Sequence, residues 1–166
     1  MALKGYTIRG LHPGDLTALV NDVREVDREE WHIAATRCGM GDRGLFELVS
    51  ISAHEAKLTR VLVHDATGSV LCIWGAYSRP EAGWGGAWLI GTKEGAQRVM
   101  AVQRHFKEGI KELHQHFEVL EATPWLGNPL HIRWLDKLGF KFNGHSETLR
   151  GFVKLVHRQE GDANVR

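Results

Sequence analysis

The first residues in this chain with chemistry to offer are acids spaced along one helical face. In "VREVDREE" (residues 23–30), Arg24, Asp27 and Glu30 recur at every third position. On a helix that spacing gives them one broad face. Acids so placed can hold a cationic amine, and one of them can take a proton from it. The ordinary alternative is a solvated face with local ion pairs. His131 and Glu121 are further candidates for proton transfer. An imidazole changes charge near neutral pH, and burial would raise the pKa of a carboxyl. A histidine on an amphipathic stretch is also commonly a packed or surface residue. "TKEGAQRV" (residues 92–99) offers different chemistry. Gly95 and Ala96 allow a close approach of backbone to ligand, while Lys93 and Arg98 supply charge for an anion. The plain alternative is a strand-to-helix turn with solvated cations. "HQH" (114–116) sends its two imidazoles to different helical faces, which argues against a metal pair there. Cys38 and Cys72 make neither a disulfide framework nor a metal motif.

Secondary elements must position these groups. "YTIRGL" (6–11) alternates as a strand does. Pro13 opens a helix and Asp15 suits its first turn. The helical pattern runs through "LTALVNDVREVDREEWHIAA", as one helix or two, and stops at the Gly-rich "CGMGDRG". "LFELVSISAHEAK" reads as another helix. "LTRVLVHD" and "VLCIWGAYS" form a hairpin around "ATGS". "RPEAGWGG" (79–86) has loop composition, and "AWLIGT" (87–92) is a short buried strand. Val99, Val102, Phe106, Ile110, Leu113 and Phe117 define one apolar helical face, with Arg98, Arg104, Lys107 and Lys111 off it. "VLEATPW" (119–125) is a strand. "PLHIRWLDKL" is a helix that starts at Pro129 and ends at Gly139. "FKF" and "FVKLVHR" (152–158) are the last strands. The expectation is one domain over residues 1–158 and a polar flexible tail over 159–166. Helices interrupting a mixed sheet give an α/β (α+β) class.

The bulk numbers agree with a soluble domain. The chain has 166 residues, 43% hydrophobic and 25% charged, with six tryptophans supplying large apolar surfaces. A net charge of +1 gives no global support for binding nucleic acid or an anionic membrane. No segment reads as a signal peptide or a membrane span, so a cytosolic location is expected.

In "GNPLHIRWLDKLGFKF" (127–142), an Asn precedes a compact helix that closes on Leu-Gly-Phe. With the order of elements above, this stretch resembles the GNAT N-acetyltransferase superfamily. Asn128, Leu138, Gly139 and Phe140 match that family's pattern. His131 stands at its alanine position and Leu135 at its tyrosine position. In many GNAT enzymes the tyrosine protonates the departing thiolate, and a leucine has no proton to give. "AWLIGT" with its following basic helix, together with "VREVDREE", is similar to GNAT-like proteins of short-tailed bacteriophages, the internal virion protein A group. The likeness spans roughly residues 20–145.

The resemblance implies a mixed, mostly antiparallel sheet of six or seven strands, flanked by helices and splayed between the fourth and fifth. It implies acetyl-CoA as cosubstrate, lying in that splay with its pyrophosphate at the helix start after Thr92. Leu89, Ile90, Gly91, Thr92, Lys93, Gly95, Arg98 and Asn128 would then contact the cofactor. Asp27, Glu30 and His131 would serve the chemistry. The family's phosphate loop differs in register from "TKEGAQRV". The implied function is a phage-encoded N-acyltransferase moving an acetyl group to an amine of a host or phage protein, or of a small molecule. The alternative is a non-catalytic GNAT-fold protein assisting virion assembly. The implied location is the host bacterial cytoplasm, or the virion.

Overall fold

A computed structural model of the chain describes residues 4–142 and 151–159. The elements run β1 (Tyr6–Arg9), α1 (Asp15–Asp22), α2 (Glu25–Arg37), α3 (Leu45–Glu55), β2 (Leu58–His64), β3 (Ser69–Ser78) and β4 (Trp84–Gly91). Then follow α4 (Lys93–Gln97), α5 (Val99–Leu113), β5 (Val119–Ala122), α6 (Pro129–Lys137), β6 (Lys141–Phe142) and β7 (Leu155–Arg158). One seven-stranded sheet has the order β1-β2-β3-β4-β5-β7-β6. Every pairing is antiparallel except β4 with β5. This is the expected mixed, mostly antiparallel sheet. Among the described residues no helix is long and apolar enough to cross a membrane.

The sheet carries a core on each face. Leu62, Leu71, Cys72 and Trp74 pack against Phe106, Ile110 and Leu113 of α5 and Leu135 of α6. Val61, Val63, Ile73 and Ile90 face Leu19 of α1 and Leu45 and Val49 of α3. Alternation along β4, and along β3 from Cys72 onward, sends successive side chains to opposite cores, while a register shift against β2 puts Leu71 and Cys72 in the same one. Burial on both faces explains the near-continuous apolar run of β3.

Several boundaries differ from the sequence expectation for local reasons. The long helical pattern breaks into α1 and α2 because Val23 is extended and bridges to Thr92. The loop expected over 79–86 is strand from Trp84 onward. Gly85 and Gly86 lack the Cβ atoms that would strike the rings of Phe117 and Tyr77, so β4 can pass between the two rings, one on each face. The apolar face expected from Val99 begins at Val102. Val99 is exposed, and Phe117 lies beyond the end of α5. The strand expected over 119–125 ends at Ala122, with Trp125 bridging Phe152. The last strand begins at Leu155 rather than at 152. Of the expected tail, only Gln159 lies within the described residues, and its N–H donates to the Glu118 carbonyl.

The turn from β4 to α4 is tight. Thr92 caps α4 by accepting from the Gly95 N–H at 3.0 Å, and its hydroxyl meets the carbonyls of Val70 and Leu71 at 3.0 and 3.1 Å. A Cβ at Gly95 would overlap the Leu71 carbonyl oxygen, so only glycine lets α4 sit this close to β3. Gly95→Ala is therefore expected to destabilise the fold by about 3 kcal/mol, as an overpacked core position does. Chemical denaturation would measure this, and a loss under about 0.5 kcal/mol would contradict the packing.

Candidate active site

β4 and β5 pair at only three positions: Trp84 with Val119, Gly85 with Leu120 and Gly86 with Glu121. β4 continues to Gly91 against β3, while β5 stops at Ala122. The two halves of the sheet therefore part after Gly86. The Thr92 N–H donates to Leu71 at 3.0 Å, which puts Thr92, Ile90 and Trp88 on the bonds to β3. By alternation, the backbone N–H groups of Leu89 and Gly91 face the gap.

The far side of the gap is organised by one buried amide. Asn128 is 1% exposed and caps α6. Its Nδ2 donates to Asp27 Oδ1 at 3.0 Å and to Glu30 Oε2 at 2.7 Å. Asp27 also takes a two-pronged bond from Arg24, at 2.8 and 2.6 Å. Glu30 accepts from the Trp125 N–H at 2.8 Å, and His131 Nδ1 lies 3.2 Å from both of its oxygens. The two acids point the same way from α2, as their spacing predicts, and each has charge-assisted partners. Burial pushes the Glu30 carboxyl up. The bond to His131, that ring's charge, the Trp125 N–H and the Asn128 amide outweigh it and hold Glu30 below the ordinary glutamate range. An ionised Glu30 fixes the proton on His131 Nδ1 and leaves Nε2 as the basic nitrogen.

Two cavities flank this cluster. One, of about 100 Å³, lies in the gap among Leu71, Leu89, Gly91, Val102, Leu130 and Trp134, with Arg24 and Asp27 in its wall. The other, of about 380 Å³, runs among Trp31, Tyr77, Trp88, Pro124, Leu135 and Phe152. It also takes in Phe106 and Phe140, so it draws residues from both cores and crosses the sheet where the strands part. Leu89 and His131 are the residues common to both walls.

The gap suits the narrow arm of an acyl-CoA: its walls are mostly apolar, with the Leu89 and Gly91 N–H groups for an arm amide or a carbonyl. The helix start after Thr92 does not suit a diphosphate. Glu94 N–H is held by the Asp22 carboxylate at 3.2 Å and Gly95 N–H by the Thr92 hydroxyl. A single residue separates β4 from α4, which leaves no loop to wrap an anion. Arg98 pairs with Glu94 at 3.1 Å and also bonds Tyr6, away from the gap. Lys93 is exposed and lines neither cavity.

The chain has the fold of the GNAT acetyltransferases. A spermidine N-acetyltransferase from Vibrio cholerae, solved with CoA and spermine, aligns over 95% of this chain and 97% of its own, at a TM-score of 0.68 and 13% identity. The ribosomal-protein-S5-alanine acetyltransferase from Vibrio fischeri aligns over 96% of both chains, at 0.58 and 18%. A GNAT-family acetyltransferase from Bacillus anthracis aligns over 95% and 97%, at 0.63 and 12%. No protein-family model matches the sequence, and no curated protein is similar to it in sequence.

The structure brings Asp27, Glu30, Asn128 and His131 together, with Leu89, Gly91, Thr92 and Gly95 in or beside the gap. It assigns some of them other work. Asn128 has both amide protons engaged by carboxylates, so it positions the acids and has no donor for a cofactor arm. The Ile90 side chain is in the α1–α3 core, not the gap. Thr92 and Gly95 close the turn, and Arg98 is an ion-pair partner. Glu121 pairs with Arg79 at 3.2 Å and lines neither cavity. Leu135, at the family's tyrosine position, is an apolar wall of the larger cavity. Sequence reasoning missed Asp22, whose only signal was its place two residues before Arg24. It also missed the aromatic cavity, whose signal was the number of tryptophans.

Two outcomes follow. Asn128→Ala strands two buried carboxylates and should cost about 3 kcal/mol in denaturant unfolding. Glu30's folded pKa lies below its ordinary 4.5, so the folded state binds that proton less readily than the unfolded chain. Its stabilisation is full above pH 4.5 and is lost as pH falls through the lower folded value. Glu30→Gln should flatten stability against pH in that acid window, and an unchanged slope would contradict the assignment.

Proposed function

We propose that the protein is an N-acyltransferase that passes an acyl group from a pantetheine thioester, such as acetyl-CoA, to an amine. The observation that carries this reading is the Glu30–His131 pair, whose imidazole stands in the wall shared by a narrow apolar gap and a wider cavity. A donor in the gap would supply an activated carbonyl. An amine entering from the wider cavity must be neutral to attack. His131 Nε2 takes its proton, and Glu30 stabilises the imidazolium that results. The Leu89 N–H, on the splayed strand, faces the place where negative charge develops on the carbonyl oxygen. No tyrosine stands at position 135, so the departing thiolate takes its proton from His131 or from water.

His131→Ala should lower kcat/KM for amine acetylation by about 10²–10⁴ while leaving the circular dichroism spectrum and thioester binding intact. Undiminished turnover in that variant would contradict the role.

A second reading is favoured by the closed helix start: a non-catalytic GNAT-fold protein, encoded by a phage and working in virion assembly. It expects no thioester binding at millimolar concentration. Calorimetry with acetyl-CoA and acetyl-pantetheine separates the two. On the acyltransferase reading both donors bind within about tenfold of each other, because α4 adds little for the diphosphate. Asp22→Ala, which frees the Glu94 N–H, should then improve CoA more than pantetheine.

A further inference from the structure

We infer that the acceptor is a monoamine with an apolar, preferably aromatic, body, and not a polyamine. This rests on the acyltransferase reading and names the substrate class of the same site.

The wider cavity is built from rings. Trp31 and Trp88 meet edge to face at 5.8 Å between centroids, and Tyr77, Phe152 and Pro124 complete the wall. Among the described residues of the wall, Glu30 is the one carboxylate, and it already accepts from Trp125, Asn128 and His131. Asp27 belongs to the other cavity and is bound by Arg24 and Asn128. Among the described residues of the wall, the guanidinium of Arg37 lies 4.5 Å from the centroid of the Phe152 ring.

A polyamine would bring two or more cations into this space. One end could deliver its proton to His131, but among the described residues of the wall the others would find no further carboxylate. Cation–π contact with an indole offsets only part of the cost of stripping water from an unpaired ammonium. A monoamine carries a single polar end, which fits the single basic nitrogen at His131. Its apolar body would lie along Trp31, Trp88 and Phe152, where burial favours it. The cavity's volume of about 380 Å³ accommodates one ring and a short chain, but leaves little room for a folded peptide.

The test is binding to the full chain, read by tryptophan fluorescence and calorimetry, with turnover measured in parallel. 2-Phenylethylamine and spermidine are the probes, at fixed pH and salt. The expected result is at least tenfold tighter binding of 2-phenylethylamine, with Trp31→Ala removing most of that preference. Trp31→Leu is the second variant, keeping the volume apolar should the alanine variant fail to fold. Spermidine bound as tightly as 2-phenylethylamine, or acetylated in preference to it, would overturn the inference and leave the acyltransferase reading standing. Binding of 2-phenylethylamine with the expected preference, but with no acyl transfer from either thioester, would uphold the cavity's selectivity and overturn the acyltransferase reading. Binding of neither amine would overturn the inference.

Discussion

Two carboxylates lie one helical turn apart in the largely apolar seam between the halves of a sheet, and both must be satisfied there. Asn128 does this from the other half of the fold. Its two amide protons reach Asp27 and Glu30 across about a hundred residues of sequence. Without that amide, or the Arg24 and Trp125 donors beside it, burying two like charges so close together would oppose folding. With them, α2 is tied to the start of α6, and the seam is held at a defined width. Glu30 is then ionised and aimed at His131. The orientation of the imidazole, the division into two cavities and the availability of Nε2 all follow from that node.

The seam itself comes from the backbone. β4 remains on β3 to Gly91, but β5 leaves it after Gly86. Strands that part leave N–H groups without ladder partners, which is costly in a structural core and useful in a binding site. The gap is therefore best understood as a place kept for a ligand's own acceptors. The turn beyond it follows the opposite logic. Asp22 and Thr92 accept from the Glu94 and Gly95 N–H groups at the helix start, so the gap stays open while the turn beside it is closed.

Much of this was legible in the sequence. The three-residue spacing of Arg24, Asp27 and Glu30 placed them on one face, and Asn128 before Pro129 marked the start of a capped helix. The order of strands and helices carried the GNAT likeness. What the sequence hid were long-range partners. Nothing local says that Asn128 meets α2 rather than a ligand, or that Asp22 reaches the α4 N–H groups. The strand at Trp84–Gly86 was hidden because its glycines read as loop residues, although they serve the rings of Phe117 and Tyr77. Arg98 looked like a phosphate ligand by position, but its choice of Glu94 and Tyr6 depends on which way the α4–α5 break turns it.

The central claim is that donor and acceptor meet at His131 from opposite cavities. A crystal structure with a bisubstrate adduct, in which CoA is joined through an acetyl bridge to 2-phenylethylamine, tests it most directly. The account predicts the bridge beside His131 Nε2 and the Leu89 N–H. The pantetheine arm should run between β4 and β5, the phenyl ring should rest on Trp31 and Trp88, and the diphosphate should lie off the α4 start, with Asp22 still bonded to Glu94. An adduct lying outside the gap, or one whose bridge is remote from His131, would contradict it.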